Sequence, residues 1–203
     1  AVIKTHHNRV DRITEMIAQG RVIEPLAEFY KDEVRLLGRV LGLPQRLINR
    51  QPFPGPGLAI RCLCAKKAAK PQADNDIAAL AKASGYRSFV LPIRSVGVQG
   101  DSRSYAKLTI LHGGNLDYRS VLPLATEITN RHRYTNRVAL ALAPKRWRTA
   151  EWKIRAATLT RKRLTLLQEA DQIVSEYLRD HKLVRRIWQC PVVLLPLTRS
   201  GGE

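Results

Sequence analysis

Residues 51–61 read QPFPGPGLAIR, and this stretch constrains the fold more than any other part of the sequence. Its three prolines each fix φ and remove a backbone donor, and the residue before each proline is disfavoured in the helical region. Gly55 and Gly57 tolerate backbone conformations that other residues avoid. A flexible linker would be rich in Gly and Ser instead. The stretch therefore predicts a stiff, extended connector, which serves either as a rigid spacer between domains or as a segment whose backbone position matters to a site.

The character of the sequence changes at this connector, which places a domain boundary near residues 51–57. Before it, two helical patterns flank a short extended one, which is typical of an α/β layer. After it, strands and helices follow in mixed order, which predicts an α+β domain. The predicted helices are residues 9–20, 27–44, 76–85, 117–132 and 164–180, and the predicted strands are residues 21–26, 57–64, 88–100, 105–114, 136–144 and 190–197.

The charge of the chain is unusually positive. Thirty-five Lys and Arg residues stand against 17 Asp and Glu residues, which gives a net charge of +18. The densest part is residues 131–163, where Trp147 and Trp152 are interleaved with the basic side chains. Such a segment can bind single-stranded nucleic acid, form a solvated face, or complement an acidic partner. All three interpretations stay open, and nucleic-acid binding is not the preferred one.

Cys62, Cys64 and Cys190 are the three cysteines of the chain. An odd number at low density does not predict a disulfide framework, and the absence of a second Cys or His pair at ligand spacing argues against zinc. We expect buried, reduced thiols. No run of apolar residues has the length of a transmembrane helix and no secretory leader is visible, so we expect a soluble protein.

Four blocks of the sequence, taken in order, resemble glutamine-hydrolysing GMP synthases. They are IKTHHN (residues 3–8), EPLAEFYKDEVRLLGRVLGLP (24–44), PFPGPGLAIR (52–61) and LPIRSVGVQGDSRSY (91–105). The later stretches LTLLQEADQIVSEYL and CPVVLLPL resemble the larger animal-type enzymes, whose dimerisation region is duplicated.

The resemblance implies a two-part architecture within a longer protein. Residues 1–52 would be the C-terminal part of the ATP-pyrophosphatase (synthetase) domain, an α/β tail. Residues 53–203 would be the first dimerisation-type subdomain, an α+β domain with a mixed sheet and flanking helices.

The resemblance also implies a ligase activity, in which XMP is aminated to GMP with ATP, Mg²⁺ and glutamine-derived ammonia through an adenylyl-XMP intermediate. Adenylylation turns a poor leaving group into a good one, and the departing pyrophosphate needs cations around it. The family's Ser-Gly-Gly-Val-Asp-Ser phosphate loop and Cys-His-Glu amidotransferase triad do not occur in this sequence. We therefore expect ATP and Mg²⁺ to be bound largely by residues outside this chain, and the chain alone to be inactive. The implied partners are XMP, ATP, a glutamine amidotransferase domain or subunit and a second copy in a homodimer, in the cytoplasm and away from membranes.

The resemblance assigns Lys4, His6 and His7 to a mobile lid over ATP and XMP, where Lys4 neutralises phosphate charge and a histidine donates to phosphate or moves a proton. The resemblance also implies that Lys31 and Asp32 face the nucleotide site. Lys31 would contact phosphate, and Asp32 would position Lys31 or a magnesium-bound water. Judged without the resemblance, the histidine pair is typical of an exposed loop and Lys31 and Asp32 of a solvated helix face.

Four more residues are implied to bind XMP. Pro54 and Gly55 would form a rigid wall beside the base, Gln99 matches the family's XMP-contacting position, and Arg103 follows in the same turn. The Gly-Asp pair at residues 100–101 is also good chemistry for an ordinary hairpin turn.

A second hypothesis is not enzymatic. The chain would be a family remnant retained as a basic structural subunit, for example in an organellar ribonucleoprotein. The missing phosphate loop and the charge of +18 favour this hypothesis, whereas the intact lid, helix and proline blocks favour the enzyme.

Overall fold

A computed structural model describes residues 11–49, 57–99, 102–114, 117–143, 148–184, 186–187 and 190–199, and at residues 98, 99, 102 and 103 it describes the backbone. The described residues form two compact units. The smaller unit comprises described residues up to 57 together with 177–191, and the larger comprises described residues 58–176 and 192–199.

The smaller unit begins with three helices, α1 (Asp11–Ala18), α2 (Lys31–Val40) and α3 (Gln45–Ile48). The start of α2 is fixed by Glu33, whose carboxylate accepts a hydrogen bond of 2.7 Å from the N–H of Tyr30. Residues 21–26 were predicted as a strand, and this prediction is wrong. The N–H groups of Ala27 and Phe29 close local turns onto the carbonyls of Glu24 and Leu26 and join no neighbouring strand.

The apolar stripe of α2 is largely uncovered. Gly38 is the buried residue of this helix, and it packs against Ile48 and Leu43. Val40 is 78% exposed, and Leu36 and Leu41 are also exposed. The described residues of this unit therefore leave much of the apolar face of α2 in contact with solvent.

The larger unit is built on a mixed three-stranded sheet, which confirms the predicted mixed sheet with helices. Strand β1 (Arg87–Gln99) pairs antiparallel with β2 (Ser102–His112), and β2 pairs parallel with β3 (Thr135–Leu140). Helix α6 (Tyr118–Arg131) makes the crossover between the two parallel strands, and α5 (Asn75–Ala83) precedes β1.

Strand β1 contains an irregularity at Pro92. The register with β2 shifts between Leu91 and Arg94. Proline cannot donate to a ladder and is therefore confined to edge strands and bulges. Both conditions hold here, because β1 is the outer strand of the order β1-β2-β3.

Both faces of the sheet are covered by apolar side chains. Alternation along β1 sends Val90 to one face and Phe89 and Leu91 to the other. The first face packs on α5 and α6, and its buried residues are Ile77, Ala81, Tyr86, Val90, Leu111, Leu124 and Ile128. The second packs on Ile154 of strand β4 (Trp152–Ile154), which pairs antiparallel with β5 (Leu197–Arg199).

The predicted strand at residues 57–64 is wrong, because residues Leu58–Arg61 form a single helical turn, α4. Its last residue, Arg61, is buried and pairs through its guanidinium with Asp171 on helix α7 (Arg161–Asp180). The predicted strand at residues 190–197 is also mostly wrong: Leu194 makes an isolated bridge to Cys62, and β5 begins at Leu197. Tertiary contacts to α7 and to the chain end have overridden the local strand pattern.

The three thiols are all free, but they differ in burial. Cys62 is buried as expected, whereas Cys64 and Cys190 are exposed, so the prediction of buried thiols is wrong for these two. Helix α7 is long, but neither it nor any other helix in the described part of the chain is apolar enough over a sufficient length to cross a membrane.

Candidate functional site

The predicted substrate residues Gln99 and Arg103 lie where the β1–β2 hairpin ends. In the register of the two strands, Gln99 is opposite Ser102 and Val98 is opposite Arg103. Their backbones therefore belong to the last two rungs before the turn. The sequence placed both residues in one hairpin turn, and the structure gives the backbone of both at that end.

Asn136 on β3 supports this end of the hairpin. Its Nδ2 lies 3.0 Å from the carbonyl oxygen of Ser95 on β1 and 3.1 Å from that of Ser104 on β2. Its Oδ1 accepts a hydrogen bond of 3.2 Å from the Ser95 hydroxyl. One carboxamide thus links three strands, and it uses both its donor and its acceptor atoms.

Gly97 makes room for this carboxamide. A Cβ atom at position 97 would lie 2.7 Å from Asn136 Nδ2 and 2.8 Å from its Cγ, which is closer than non-bonded atoms approach. Sequence reasoning missed both residues. A glycine inside a strand often marks a close approach of another group, so Gly97 was the signal that could have pointed to a partner.

A second side chain from β3 reaches the hairpin. Arg137 Nη2 donates to the carbonyl oxygen of Val96 at 2.7 Å. Neighbouring residues of β3 therefore bind the carbonyl groups of two consecutive β1 residues, Ser95 and Val96, just before Gly97. Groups held at the Gln99 end of the hairpin are consequently carried by a backbone that is fixed by hydrogen bonds, which favours defined ligand geometry.

Lys31 and Asp32, the predicted phosphate-facing pair, are the first two residues of α2 in the smaller unit. Both are exposed, and the Asp32 side chain is 91% exposed. Asp32 Oδ1 lies 3.2 Å from Arg35 Nη1, an ion pair between exposed groups that contributes little to stability. An acidic residue in the first turn also complements the helix dipole. Both side chains are accessible to a ligand, and both also fit a solvated helix face.

The remaining predicted site residues, Lys4, His6, His7, Pro54 and Gly55, lie outside the described residues. Within the described ranges, no group of three or more His, Cys, Asp and Glu side chains is arranged to hold a metal ion.

No family model matches the chain. The individual proteins to which it is similar nevertheless share one name. A protein of Leptospira interrogans named probable GMP synthase [glutamine-hydrolyzing] is 42% identical over 202 residues, which is 99% of this chain. The GMP synthase of Dictyostelium discoideum is 33% identical over 241 aligned residues and 97% of this chain. The GMP synthase of Prochlorococcus marinus is 39% identical over 174 residues and 74% of this chain.

This chain spans about a third of the length of these relatives, 34%, 34% and 32% respectively. The resemblance seen in the four sequence blocks is thereby confirmed, and this chain is a homologue of a segment that makes up about one third of the glutamine-hydrolysing GMP synthases.

Proposed function

We propose that this chain is a part of a GMP synthase, which aminates XMP to GMP with ATP and glutamine-derived ammonia through an adenylyl-XMP intermediate. The observation that carries the proposal is the 42% identity over 202 residues to the Leptospira interrogans relative. A glutamine amidotransferase domain or subunit would supply the ammonia. The relatives compared are all named GMP synthase, so they lend no support to the alternative of a basic structural subunit.

In this proposal residues 1–52 are the C-terminal part of the ATP-pyrophosphatase domain. The exposed apolar face of α2 supports this assignment, because an exposed apolar patch marks a surface that another part of a protein covers. The rest of the ATP-pyrophosphatase domain is the natural cover in a protein about three times as long.

Residues 53–203 are proposed to be a dimerisation-type domain of the larger, duplicated form. The relatives from Leptospira interrogans, Dictyostelium discoideum and Caenorhabditis elegans match 96–99% of the chain, whereas those from Prochlorococcus marinus and Candida albicans match 74%. This difference supports a region that some relatives share in full and others share in part.

Gln99 and Arg103 are proposed to bind XMP. A carboxamide offers both donor and acceptor atoms, which suits the polar edge of a purine base. A guanidinium suits a phosphate group because its donors form a planar fork. The hydrogen bonds from Asn136 and Arg137 to the same hairpin support this role, because they fix the backbone that carries Gln99.

The phosphates of ATP are proposed to meet Lys4 and one of the pair His6 and His7 from the lid, and Lys31 from the start of α2. Asp32 would position Lys31 or a magnesium-bound water. Pro54 and Gly55 would line the base. Mg²⁺ would supply charge neutralisation at the departing pyrophosphate. Its ligands are proposed to lie largely outside this chain, since the family's phosphate loop does not occur in this sequence.

A graft tests the proposal. The corresponding third of the Leptospira interrogans relative is replaced by this chain, and GMP formation from XMP, ATP and ammonia is measured. We expect an active graft, with a KM for XMP raised on the order of tenfold by Gln99→Ala, the equivalent of about 1.4 kcal/mol. Gln168→Ala on the exposed side of α7 serves as the matched control and should leave the KM unchanged. A folded graft that makes no GMP would contradict the proposal.

A further inference from the structure

The larger unit contains a cavity at the end of the hairpin opposite to Gln99. Its volume is about 410 Å³, and it is lined by Ala78, Lys82, Tyr86, Arg87, Ser88, His112, Arg148 and Thr149. Arg87 is the first residue of the 13-residue strand β1, of which Gln99 is the last. At about 3.3 Å per residue, the two ends are roughly 40 Å apart.

Three cations converge on this cavity, and none of the lining residues is acidic. Lys82 comes from α5, Arg87 from the start of β1, and Arg148 from the residue before the short 3₁₀ helix Thr149–Glu151. The carboxylate of Glu151 lies 3.9 Å from Arg148 Nε but 2.7 Å from Arg199 Nε, so its charge is engaged mainly by Arg199. Like charges gathered in a concave site produce a positive potential that attracts anions.

The glycine pair that follows β2 fixes two of the lining side chains. A Cβ atom at Gly113 would lie 3.2 Å from Arg87 Nη2, and one at Gly114 would lie 2.3 Å from Tyr86 Cε1. The backbone of the pair therefore packs directly on the guanidinium and on the phenol ring, whose hydroxyl is 3.0 Å from Ser120 Oγ. A cation held against the backbone loses little freedom when a ligand binds.

His112 adds a buried imidazole to the lining. It is opposite Arg87 in the strand register, and its ring centroid is 5.6 Å from that of Phe89. Burial, and secondarily the charge of Arg87, lower the pKa of His112, so the imidazole is neutral near pH 7. The hydroxyls of Ser88 and Thr149 supply further hydrogen-bonding groups.

A purely structural account explains two of the three cations, Lys82 and Arg148, but not the convergence of all three on one cavity. Lys82 lies in the last turn of α5, where a positive charge complements the helix dipole. Arg148 is an exposed side chain that needs no partner. Neither explanation accounts for a cavity lined by these two residues together with Arg87. Neither accounts for the glycine pair whose backbone packs on the Arg87 guanidinium.

We propose that this cavity binds the phosphate group of a small phosphomonoester, a site that goes beyond the proposed GMP synthase function. Arg87, Arg148 and Lys82 hold the phosphate oxygens. Tyr86 and Ala78 provide apolar surface beside the cations, which suits an organic body attached to the phosphate. The volume lies within the range of about 300–1,000 Å³ that is typical of small-molecule sites.

Calorimetric titration of the full chain tests this site with three probes at constant ionic strength: ribose 5-phosphate, inorganic phosphate and ribose. The test variant is Arg87→Gln with Arg148→Gln. The matched control is Arg94→Gln with Arg133→Gln, which removes the same charge from exposed arginines that do not line the cavity. Thermal unfolding followed by circular dichroism verifies that each variant is folded, and Lys82→Gln on the surface of α5 replaces the test variant if that variant does not fold.

We expect saturable binding of ribose 5-phosphate to one site, weaker binding of inorganic phosphate and no binding of ribose. The test variant should lose at least about tenfold in affinity and the control should lose none, and ribose 5-phosphate should shift the imidazole resonances of His112 in the unaltered chain. Equal losses in both double variants would mean attraction by the overall charge of +18 and would overturn the site. Absence of saturable binding would overturn it as well, and equal affinity for ribose 5-phosphate and inorganic phosphate would overturn the choice of a phosphomonoester.

Discussion

The carboxamide of Asn136 occupies the space that a side chain on Gly97 would need, since a Cβ atom there would lie 2.7 Å from Asn136 Nδ2. The contact joins β3 to β1 across the hairpin whose end carries Gln99 and Arg103. The geometry of that end therefore depends on the absence of a side chain two residues before Gln99.

Gly97→Ala should displace Asn136 and break its hydrogen bonds to Ser95 and Ser104. We expect a loss of about 1–3 kcal/mol in the free energy of unfolding, measured with urea, because overpacking forces neighbouring groups to shift. Gly38→Ala in α2 is the control, since its Cβ would meet Ile48 and Leu43 at an ordinary 3.5 Å. Unchanged stability of Gly97→Ala would show that the hairpin accommodates the methyl group without strain.

Arg61 and Asp171 form an ion pair whose two members differ in exposure. Arg61 is 8% exposed and also donates to the carbonyl oxygen of Val192 at 3.2 Å, whereas the Asp171 side chain is 31% exposed. We expect Asp171→Ala to lower the free energy of unfolding by about 2–4 kcal/mol, because it leaves a buried guanidinium without its counterion.

Arg61→Met should cost less than Asp171→Ala, because the partly exposed Asp171 carboxylate can be rehydrated while the methionine keeps most of the apolar stem. A double-mutant cycle by chemical denaturation measures both effects. The reverse order of the two single variants would contradict this account of the pair.

Asp74 makes stability depend on pH in the acid range. Its partial burial opposes ionisation, but hydrogen bonds from the Ile77 N–H and the Tyr134 hydroxyl and the charge of His132 lower the pKa of the carboxyl below its usual value of 3.8. A carboxyl with a lowered pKa in the folded state binds protons more readily when unfolded. Its contribution to stability is therefore present above about pH 4 and lost as the pH falls through the folded-state pKa. Urea titrations between about pH 2 and 5 should show a shallower loss of stability in Asp74→Asn than in the unaltered chain, and parallel curves would remove Asp74 as a source of the pH dependence.

Lys4 and His6 are proposed to act on the phosphates during adenylylation. In the full enzyme or the active graft, Lys4→Ala and His6→Ala should lower kcat on the order of a hundredfold and leave the affinity for XMP nearly unchanged, because charge on the transferring group develops in the transition state. Single-turnover formation of adenylyl-XMP, together with equilibrium binding of XMP, separates the two effects. Full turnover at saturating substrates in both variants would take these residues out of the catalytic list.

The elements that the sequence predicts well are those with a strong local pattern. Helices α5, α6 and α7 and the β1–β2 hairpin follow from apolar periodicity and from turn residues, and each lies close to its predicted range. The failures at residues 21–26 and 57–64 have a different cause. There the backbone is held by local turns or by the Arg61–Asp171 pair, neither of which leaves a periodic signature.

The two proposed sites differ in how far the sequence alone points to them. Gln99 and Arg103 stand close together in a recognisable block, so the resemblance alone is enough to propose them as XMP-binding residues. Asn136 supports them from a strand 37 residues beyond Gln99 (136 minus 99), and only the parallel pairing of β2 with β3 brings it there. The cavity proposed to bind phosphate is lined by Lys82, Arg87, His112 and Arg148 from four separate segments, so its charge becomes visible only once the chain is folded.

The Arg61–Asp171 pair also bears on the order in which this chain becomes structured during synthesis. The two groups that accept hydrogen bonds from the Arg61 guanidinium lie much later in the chain. Asp171 follows Arg61 by 110 residues, and Val192 follows it by 131 residues. The backbones of Arg61 and Leu63 likewise pair with that of Leu194 through two hydrogen bonds of 2.9 Å. Contacts of such long sequence separation form late, because closing the long loop costs conformational entropy before the free energy of the new contact offsets that cost. During synthesis, the residues just after the prolines therefore lack these long-range hydrogen bonds until residues 192–194 have left the ribosome. A nascent chain truncated before residue 192 leaves the guanidinium of Arg61 without its Val192 acceptor.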